Sequence, residues 1–345
     1  MGHGHAPTTH NLQSYEVGTF FIQNFGCRTA QAEGAALASD LSERGWQPAT
    51  RPQAELVVLN TCTVTAAADQ DVRKALRRVR RENPAARILV TGCYAQRAPS
   101  ELAGFSGVTW VVGNADKPRI AELIAGPTPC GCLLQVGAPD GQPELRWVAP
   151  GVYTEDRTRP NLKVQDGCSA RCSFCLIPLV RGRSRSAPAE WGVEQVRRLS
   201  ARYREVVLSG INLGRWGRDL RPRLRLADLV RRLLEETPVE RLRLSSIEPM
   251  DLTDSLLELM AGSARLARHL HVPLQSGSDA VLRRMRRTYR ARHYEERIRR
   301  ARQCLPEAAL GADVLVGFPG ETDADFDQTR ALVERLPLTY LHVFT

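Results

Sequence analysis

The strongest constraint on the fold is a regular alternation of short apolar runs with longer amphipathic stretches along the 345 residues. In the first part of the chain, the apolar runs predict strands and the amphipathic stretches predict helices. The predicted strands cover residues 19–24, 55–60, 87–91 and 108–112, and the two main helices cover 30–44 and 72–82. Such alternation is typical of parallel sheets covered by helices. Residues 17–126 are therefore predicted to form an α/β domain with a doubly wound parallel sheet.

The second part of the chain, residues 160–345, alternates in the same way. Its predicted strands cover 162–165, 205–209, 241–245, 269–273, 312–316 and 340–344, and helices are predicted at 191–203, 224–236, 252–260 and 294–304. Six such units predict a partial (β/α)6 TIM-like barrel, whose functional site is expected at the carboxyl ends of the strands. Residues 127–159 are rich in Gly and Pro and are predicted to be a linker. The polar residues 1–16 are predicted to be a disordered extension.

Three cysteines directly follow the first predicted barrel strand, in the segment VQDGCSARCSFCLIP. Cys168, Cys172 and Cys175 have the spacing Cys-x-x-x-Cys-x-x-Cys. Three thiolates this close can bind three irons of a [4Fe–4S] cluster and leave the fourth iron open to a substrate or cosubstrate. Zinc motifs usually pair two Cys-x-x-Cys elements or add histidines, and no histidine lies near this segment. The spacing favours an iron–sulfur cluster over a zinc site or three unrelated buried cysteines.

Three further cysteines lie far apart in the sequence but occupy equivalent positions. Cys27 (QNFGCR), Cys62 (LNTCTV) and Cys93 (VTGCYAQ) each come just after a predicted strand of the N-terminal sheet. In an open α/β sheet these loops share one edge, where ligands normally bind. Isolated buried cysteines often act as small apolar residues, but that is a poor explanation for three at matching positions. We expect a second [4Fe–4S] cluster here, whereas Cys130, Cys132 and Cys304 are assigned no ligand role.

Charge and hydropathy limit the classes of function. No stretch approaches the roughly 20 apolar residues of a membrane span, and the N-terminus lacks a secretory signal, so a cytoplasmic location without membrane association is expected. The net charge is +10, which reflects either nucleic-acid binding or a compositional bias toward arginine. Arginines concentrate at residues 181–185 and 283–292. Because aromatic residues are few, contacts to RNA phosphates are expected rather than base stacking.

Seven motifs together resemble the methylthiotransferase family of radical S-adenosylmethionine enzymes. They are LNTCTVT, VTGCYAQ, LKVQDGCSARCSFCLIP, REVVLSGINLG, RLRLSSIEP, HLHVPLQSGSDAVLRRMRR and DVLVGFPGETDADF, and the resemblance covers nearly the whole chain. The DRTR run at 156–159 and the SSIEP run at 245–249 look like the branch that modifies threonylcarbamoyl-adenosine in tRNA. Other branches act on isopentenyl-adenosine in tRNA or on an aspartate of a ribosomal protein, and those substrates are the alternatives.

The resemblance implies a mechanism and its cofactors. Cys168, Cys172 and Cys175 would hold a cluster that binds and cleaves S-adenosylmethionine, and Cys27, Cys62 and Cys93 would hold the sulfur-carrying cluster. The resulting 5′-deoxyadenosyl radical would take hydrogen from C2 of the adenine at tRNA position 37, an unactivated carbon that requires radical chemistry. Positions matching the S-adenosylmethionine or nucleoside site, which could equally be structural, are Ser209, Gly210, Asn212, Glu248 and Gln275.

The resemblance also implies partners: the anticodon loop of tRNA, a sulfur donor, and an electron donor such as flavodoxin or ferredoxin. Family members usually continue into a small RNA-binding β-barrel called TRAM. The sequence ends at Thr345, so we expect that domain to be absent, either because the chain is a fragment or because tRNA binds to the basic barrel surface. We expect the affinity for tRNA to be weaker than in a relative that has the domain. A different class, a non-catalytic iron–sulfur protein that binds RNA or carries electrons, is disfavoured because GINLG and GFPGE predict a cosubstrate pocket.

Overall fold

The computed structural model describes residues 18–140, 147 and 158–345. The predicted extension, residues 1–16, and the first half of the DRTR run therefore lie outside the described residues. Within the described ranges, no helix combines the length and the apolar character needed to cross a lipid bilayer.

The N-terminal part is a six-stranded, entirely parallel sheet with the strand order β2-β1-β3-β4-β5-β6. Its elements, in chain order, are β1 Thr19–Asn24, α1 Arg28–Glu43, β2 Gln47–Pro48, β3 Leu56–Thr61, α2 Ala66–Glu82, β4 Arg87–Gly92, α3 Cys93–Arg97, α4 Pro99–Ala103, β5 Val108–Val112, α5 Ile120–Ala125 and β6 Leu133–Gln135. Strands β3 and β4 occupy the centre, and every residue of β3 is buried. A strand buried on both faces reads as a continuous apolar run, which is why the sequence predicted it.

The C-terminal part contains six parallel strands and one short antiparallel strand, β8, in two hydrogen-bonded sheets with the orders β10-β9-β7-β8 and β11-β12-β13. Its elements are β7 Asn161–Asp166, α6 Ile177–Arg181, β8 Arg185–Ser186, α7 Ala189–Ser200, β9 Glu205–Gly210, α8 Leu226–Glu236, β10 Arg241–Leu244, α9 Asp254–Gly262, β11 His269–His271, α10 Asp279–Arg284, α11 Ala291–Cys304, β12 Ala309–Leu315, α12 Asp323–Arg335 and β13 Tyr340–Phe344. One apolar core joins the two sheets. The order β7, β9, β10, β11, β12, β13 is that of the predicted six-stranded partial barrel.

The predicted linker, residues 127–159, contains an element that the sequence analysis did not include. Strand β6 lies in this stretch and pairs with β5, so the N-terminal sheet extends to Gln135. Two of its three residues are exposed, and a short exposed edge strand has no strong hydrophobic pattern to reveal it. The short helices α3 to α6 were also missed, since segments of five or six residues are too short to show a helical period.

The two parts meet through α1, which packs against the barrel strands β7 and β9. Glu33 of α1 accepts hydrogen bonds from Lys163 of β7 and from Arg181 at the end of α6. A polar helix face from the N-terminal part therefore contacts the barrel directly, and it brings the two cysteine-bearing edges into one region of the molecule.

Candidate active site

The loop after β7 carries the barrel cysteines in a fixed backbone conformation. The Cys168 amide donates to the Gly182 carbonyl at 3.0 Å. Gly167, with φ +68°, has no room for a side chain, since a Cβ there would lie 2.0 Å from the Arg183 carbonyl oxygen. Burial raises the pKa of the Cys175 thiol, and the neighbouring Cys172 and Cys168 raise that pKa further. The thiols of Cys172 and Cys168 thus lie near enough to Cys175 to interact with it electrostatically.

Two side chains donate hydrogen bonds to these sulfurs. Asn212 Nδ2 lies 3.6 Å from Cys168 Sγ, and Arg287 Nη1 lies 3.2 Å from Cys172 Sγ. Arg287 also forms an ion pair with Glu248, whose carboxyl pKa is raised by burial, against the opposing effect of Arg287. Donors to thiolate ligands fix their orientation and tune a metal centre. Glu248, predicted to line the site, is thus connected to a cysteine through Arg287.

Buried polar groups at the carboxyl ends of β9 and β10 lack partners within the described part of the chain. They are Ser209 Oγ, Asn212 Oδ1 and Ser245 Oγ, and all three residues are less than 10% exposed. Buried polar groups are normally hydrogen-bonded, and orphaned ones need an explanation. A polar ligand such as S-adenosylmethionine, bound at this edge of the barrel, would satisfy them. The residues present therefore fit the cosubstrate that the resemblance implies.

The loop after β9 is held by a residue that the sequence analysis missed. Gln165 Oε1 accepts a 2.7 Å hydrogen bond from the Asn212 amide, and Gln165 Nε2 donates to the Gly167 carbonyl at 2.8 Å. Gly210 packs against this glutamine, because a Cβ there would lie 2.9 Å from its Cβ and its Oε1. Gln165 thereby ties the predicted cosubstrate loop to the cysteine loop. Because β7 has the sequence NLKVQD, with four polar residues of six, nothing in its pattern singled out Gln165.

The N-terminal cysteines follow three neighbouring parallel strands. Cys27 lies between β1 and α1 at the N-cap position of the helix, Cys62 directly follows β3, and Cys93 directly follows β4. Burial raises the pKa of the Cys62 thiol, and the nearby thiols of Cys27 and Cys93 raise that pKa as well. Gly26 lies against Cys62, since a Cβ on Gly26 would be 2.6 Å from its Sγ. These three thiols, with Cys27 exposed and the other two buried, form a donor set that fits a cluster.

The remaining predicted site residue and the unassigned cysteines have other surroundings. Gln275 has a positive φ of 68° and is held by backbone hydrogen bonds to Asp313 and Leu315. Cys132 packs against the N-terminal core, and Cys304 packs against the barrel core.

The prediction that the arginine-rich segments bind phosphate is wrong for two of their members. The side chains of Arg181 and Arg287 are 1% and 7% exposed, respectively, and both form buried ion pairs. Arg183 is exposed. A run of arginines indicates a charged surface on average, and tertiary partners decide which members are buried.

Arg181 belongs to a buried charge network that the sequence analysis did not predict. Glu33 and Asp166 supply the carboxylates, and Lys117 and Lys163 supply the two further cations. The cationic neighbours hold the pKa of Glu33 well below its ordinary value despite burial. These residues lie far apart in sequence and showed no common pattern.

A second polar group lies on the strands β11, β12 and β13. His271 Nε2 and His342 Nδ1 lie 2.9 and 3.2 Å from Asp313 Oδ1. Among the described residues, these three form the only group of His, Cys, Asp or Glu whose possible ligand atoms all lie within 4.8 Å of one another. Tyr340 Oη extends the chain by contacting His271 Nδ1 at 3.2 Å. Burial lowers the pKa of the adjacent His269 to about 4, and Arg243, Arg28 and Arg159 lower that pKa further. The positive surroundings disfavour a cation, so we describe the group as a hydrogen-bonded chain.

Comparisons with known proteins agree with this geometry. Residues 19–113 match the Uncharacterized protein family UPF0004, and residues 162–333 match the Radical SAM superfamily. A solved structure of the cobalamin-dependent S-adenosylmethionine radical enzyme OxsB is similar with a TM-score of 0.61 and 12% identity. The similarity covers 94% of this chain and 54% of that one. At this identity the structure supports the fold alone.

Curated relatives are more informative. The threonylcarbamoyladenosine tRNA methylthiotransferase MtaB of Bacillus subtilis is 37% identical over 95% of this chain and 73% of the relative. The protein of the same name from Thermotoga maritima is 36% identical over 94% of this chain and 74% of the relative. A tRNA-2-methylthio-N(6)-dimethylallyladenosine synthase of Syntrophobacter fumaroxidans is 35% identical over 94% and 72%. With this coverage and two sets of three converging thiols, the chain belongs to the methylthiotransferase family of radical SAM enzymes.

Proposed function

We propose that this protein transfers a methylthio group to C2 of N6-threonylcarbamoyladenosine at position 37 of tRNA. The observation that carries the proposal is the pair of three-thiol sets at the carboxyl ends of two parallel sheets that contact each other through α1. Clusters that only carry electrons are usually held by four cysteines, whereas each set here has three. Insertion of sulfur into an unactivated carbon needs both radical generation and a sulfur source, and two clusters with an open iron can provide them. The similarity to relatives named for this nucleoside supports the choice of substrate.

Cys168, Cys172 and Cys175 are proposed to hold the radical SAM cluster, and Cys27, Cys62 and Cys93 a second cluster. When bound and reduced, the first cluster would supply the electron that cleaves S-adenosylmethionine to a radical. The second cluster would supply the sulfur, and a second S-adenosylmethionine would supply the methyl group. Radical SAM membership implies S-adenosylmethionine and a [4Fe–4S] cluster, and the second cluster rests on the donor set described above. The thiols present at each edge leave one iron of a cubane without a protein ligand.

The chain's own polar residues are proposed to bind and orient the cosubstrate. Ser209, Asn212 and Ser245 offer unpartnered buried oxygens, which suit the amino and hydroxyl groups of S-adenosylmethionine. The Asn212 backbone N–H donates to Gln165 Oε1, so the backbone of Asn212 is held in place before the ligand binds. Arg287 contacts both Glu248 and Cys172, which keeps the carboxylate near the thiol.

We propose that tRNA binds through its anticodon loop. The net charge of +10 favours an RNA partner, and extrusion of a base costs least in a single-stranded loop. The reaction also needs an electron donor such as flavodoxin or ferredoxin and a sulfur donor. The cytoplasm, where tRNA is found, is the proposed location.

The test is anaerobic turnover of the reconstituted protein with S-adenosylmethionine, a reductant and tRNA carrying either threonylcarbamoyl- or isopentenyl-adenosine. Mass spectrometry of the nucleosides should show a methylthio gain on the threonylcarbamoyl nucleoside only. A gain on the isopentenyl nucleoside alone would favour the second candidate substrate, which the 35% identical dimethylallyladenosine synthase suggests. No 5′-deoxyadenosine under any condition would refute radical chemistry.

Cysteine variants provide the matched controls. Cys93→Ala should abolish methylthio transfer while 5′-deoxyadenosine still forms, because only the second cluster is affected. Cys172→Ala should abolish both products. Cys304→Ser alters a cysteine in α11 that packs against the barrel core, and it should leave both unchanged. Equal loss in all three variants would indicate unfolding and contradict the separate roles.

A further inference from the structure

A single short segment joins the two cysteine sites. Helix α6 begins two residues after Cys175 and ends at Arg181. Arg181 Nε donates to Cys93 Sγ at 3.3 Å. The arginine side chain is 1% exposed, so it makes this contact inside the protein, away from water. Arg181, which donates to Cys93 of the N-terminal set, therefore lies only six positions after Cys175 of the barrel set.

A second contact fixes the same helix to the N-terminal part. Asn114 Nδ2 donates to the Val180 carbonyl at 2.8 Å and lies 3.7 Å from Cys93 Sγ. Asn114 therefore contacts both the last turn of α6 and the sulfur. Cys93 receives side-chain donors from both parts of the molecule, whereas the Cys62 thiol accepts hydrogen bonds from the backbone N–H groups of Val64 and Thr63.

Carboxylates from both parts fix the orientation of the Arg181 guanidinium. Its Nη1 donates to Glu33 Oε1 at 2.7 Å and to Asp166 Oδ1 at 2.9 Å, and its Nη2 donates to Glu33 Oε2 at 3.1 Å. Glu33 belongs to α1, and Asp166 ends β7 immediately before the barrel cysteine loop. Bidentate arginine–carboxylate pairs are geometrically specific, so the Nε–H is held pointing at the sulfur.

The charges of the network are incomplete without Cys93. Arg181, Lys117 and Lys163 are cations, and Glu33 and Asp166 are the anions paired with them. One positive charge is left over in a buried site, where an uncompensated charge is unfavourable. A Cys93 thiolate, the form that binds iron, would balance it.

We propose that Arg181 is a positioning residue that holds the Cys93 thiolate and sets the reduction potential of the cluster bound by the N-terminal cysteines. The inference rests on the proposed second cluster. Hydrogen bonds and positive charge at a ligand sulfur stabilise the reduced, more negative cluster and so raise its potential. Through α6, the same side chain ties the position of this site to the barrel cysteine loop.

The experiment is an EPR-monitored redox titration of the N-terminal cluster alone. The parent carries Cys168→Ala, Cys172→Ala and Cys175→Ala, so that its signal comes from the other cysteines. Arg181→Gln in this parent should lower the midpoint potential by about 59 mV or more, which is a tenfold change for one electron. Arg181→Lys keeps the positive charge but loses the bidentate guanidinium, so the midpoint potential of this variant should lie between those of the parent and Arg181→Gln. Arg197→Gln, an exposed residue paired with Glu194, should match the parent.

Iron content and circular dichroism identify any variant that has lost its fold. If Arg181→Gln does not fold, Arg181→Lys carries the comparison, and a potential identical to the parent's would overturn the proposal. If both Arg181 variants fold and have the same midpoint potential as the parent, the proposal is likewise overturned. A parent that binds no iron would refute the second cluster itself, and with it this inference. Because the measurement requires neither tRNA nor turnover, failure of the substrate assignment leaves it unaffected.

Discussion

Glu33→Gln should destabilise the protein far more than removal of an ordinary surface carboxylate. The Glu33 side chain is 6% exposed and pairs with Arg181, Lys117 and Lys163, which are 1%, 11% and 13% exposed. Glutamine preserves the size and much of the hydrogen bonding but removes the charge. Asp166 is then the single carboxylate facing three buried cations in the network.

The magnitude follows from the loss of a partner in a buried ion pair. Removing one member typically costs about 3–5 kcal/mol, because the other charge remains buried without compensation. We expect the free energy of unfolding at pH 7 to fall by about that amount. The double change Glu33→Gln with Lys117→Met removes one charge of each sign, and it should cost less than Glu33→Gln alone.

The assay is anaerobic urea denaturation followed by circular dichroism and tryptophan fluorescence. Because the pKa of Glu33 is lowered in the folded protein, its contribution is complete above the unfolded value of 4.5. It is lost as the pH falls below that value toward the folded pKa. The difference between wild type and Glu33→Gln should therefore be constant from pH 6 to pH 8 and shrink below about pH 4.5.

The control is Glu240→Gln, which breaks a pair with Arg204 in which the two side chains are 57% and 86% exposed. Exposed pairs contribute about 0–1 kcal/mol, so this variant should unfold almost as wild type does. If Glu33→Gln lost no more stability than Glu240→Gln, the network would not depend on this carboxylate and the reasoning would be refuted.

Three further outcomes are expected. Gly92→Ala should lower the melting temperature and the amount of iron bound by the N-terminal cysteines. Gly92 has φ +101°, and a Cβ there would lie 2.3 Å from the Thr61 carbonyl oxygen. Gly262→Ala is the control and should be neutral, because the space around Gly262 is open. Burial, and after it nearby arginines, lower the pKa of His269 to about 4, so the folded protein loses stability relative to the unfolded chain as the pH falls from about 6.5 to 4. The melting temperature of wild type should therefore fall relative to that of His269→Gln over that range. A constant difference between the two melting temperatures would contradict this. Cys304→Ser should retain the full iron content of wild type by colorimetric assay, and a loss would show that the residue is a ligand.

Much of the fold was accessible from local pattern. Strands β1, β5 and β13 begin and end at the predicted residues, because the turns on either side of an apolar, β-branched run determine the ends of the strand. The placement of the two sets of three cysteines could also be predicted, since each set follows strands and parallel strands share one edge at their carboxyl ends. Their convergence was thus a consequence of topology that sequence reasoning could use.

The contacts around the thiols were not accessible in the same way. Arg181 and Arg287 belong to arginine-rich segments that predict an exposed surface, yet each is buried by carboxylates from distant elements. Nothing local distinguishes them from Arg183. Gln165 likewise acquires its role from the loops that fold around it. Whether a charged side chain is buried depends on residues from other elements of the fold, and the sequence of one element does not show which residues those are.

The order of strands in the N-terminal sheet has a consequence for when iron can enter. Cys27, Cys62 and Cys93 become neighbours only after β1 and β4 have paired with β3, and such non-local pairings form late and slowly. The barrel triplet, in contrast, lies in one short loop that a newly made chain can present to iron before it folds. On the proposed assignment of clusters, the barrel site can therefore be loaded on a flexible segment during biosynthesis, whereas the N-terminal site receives its cluster only on a finished domain.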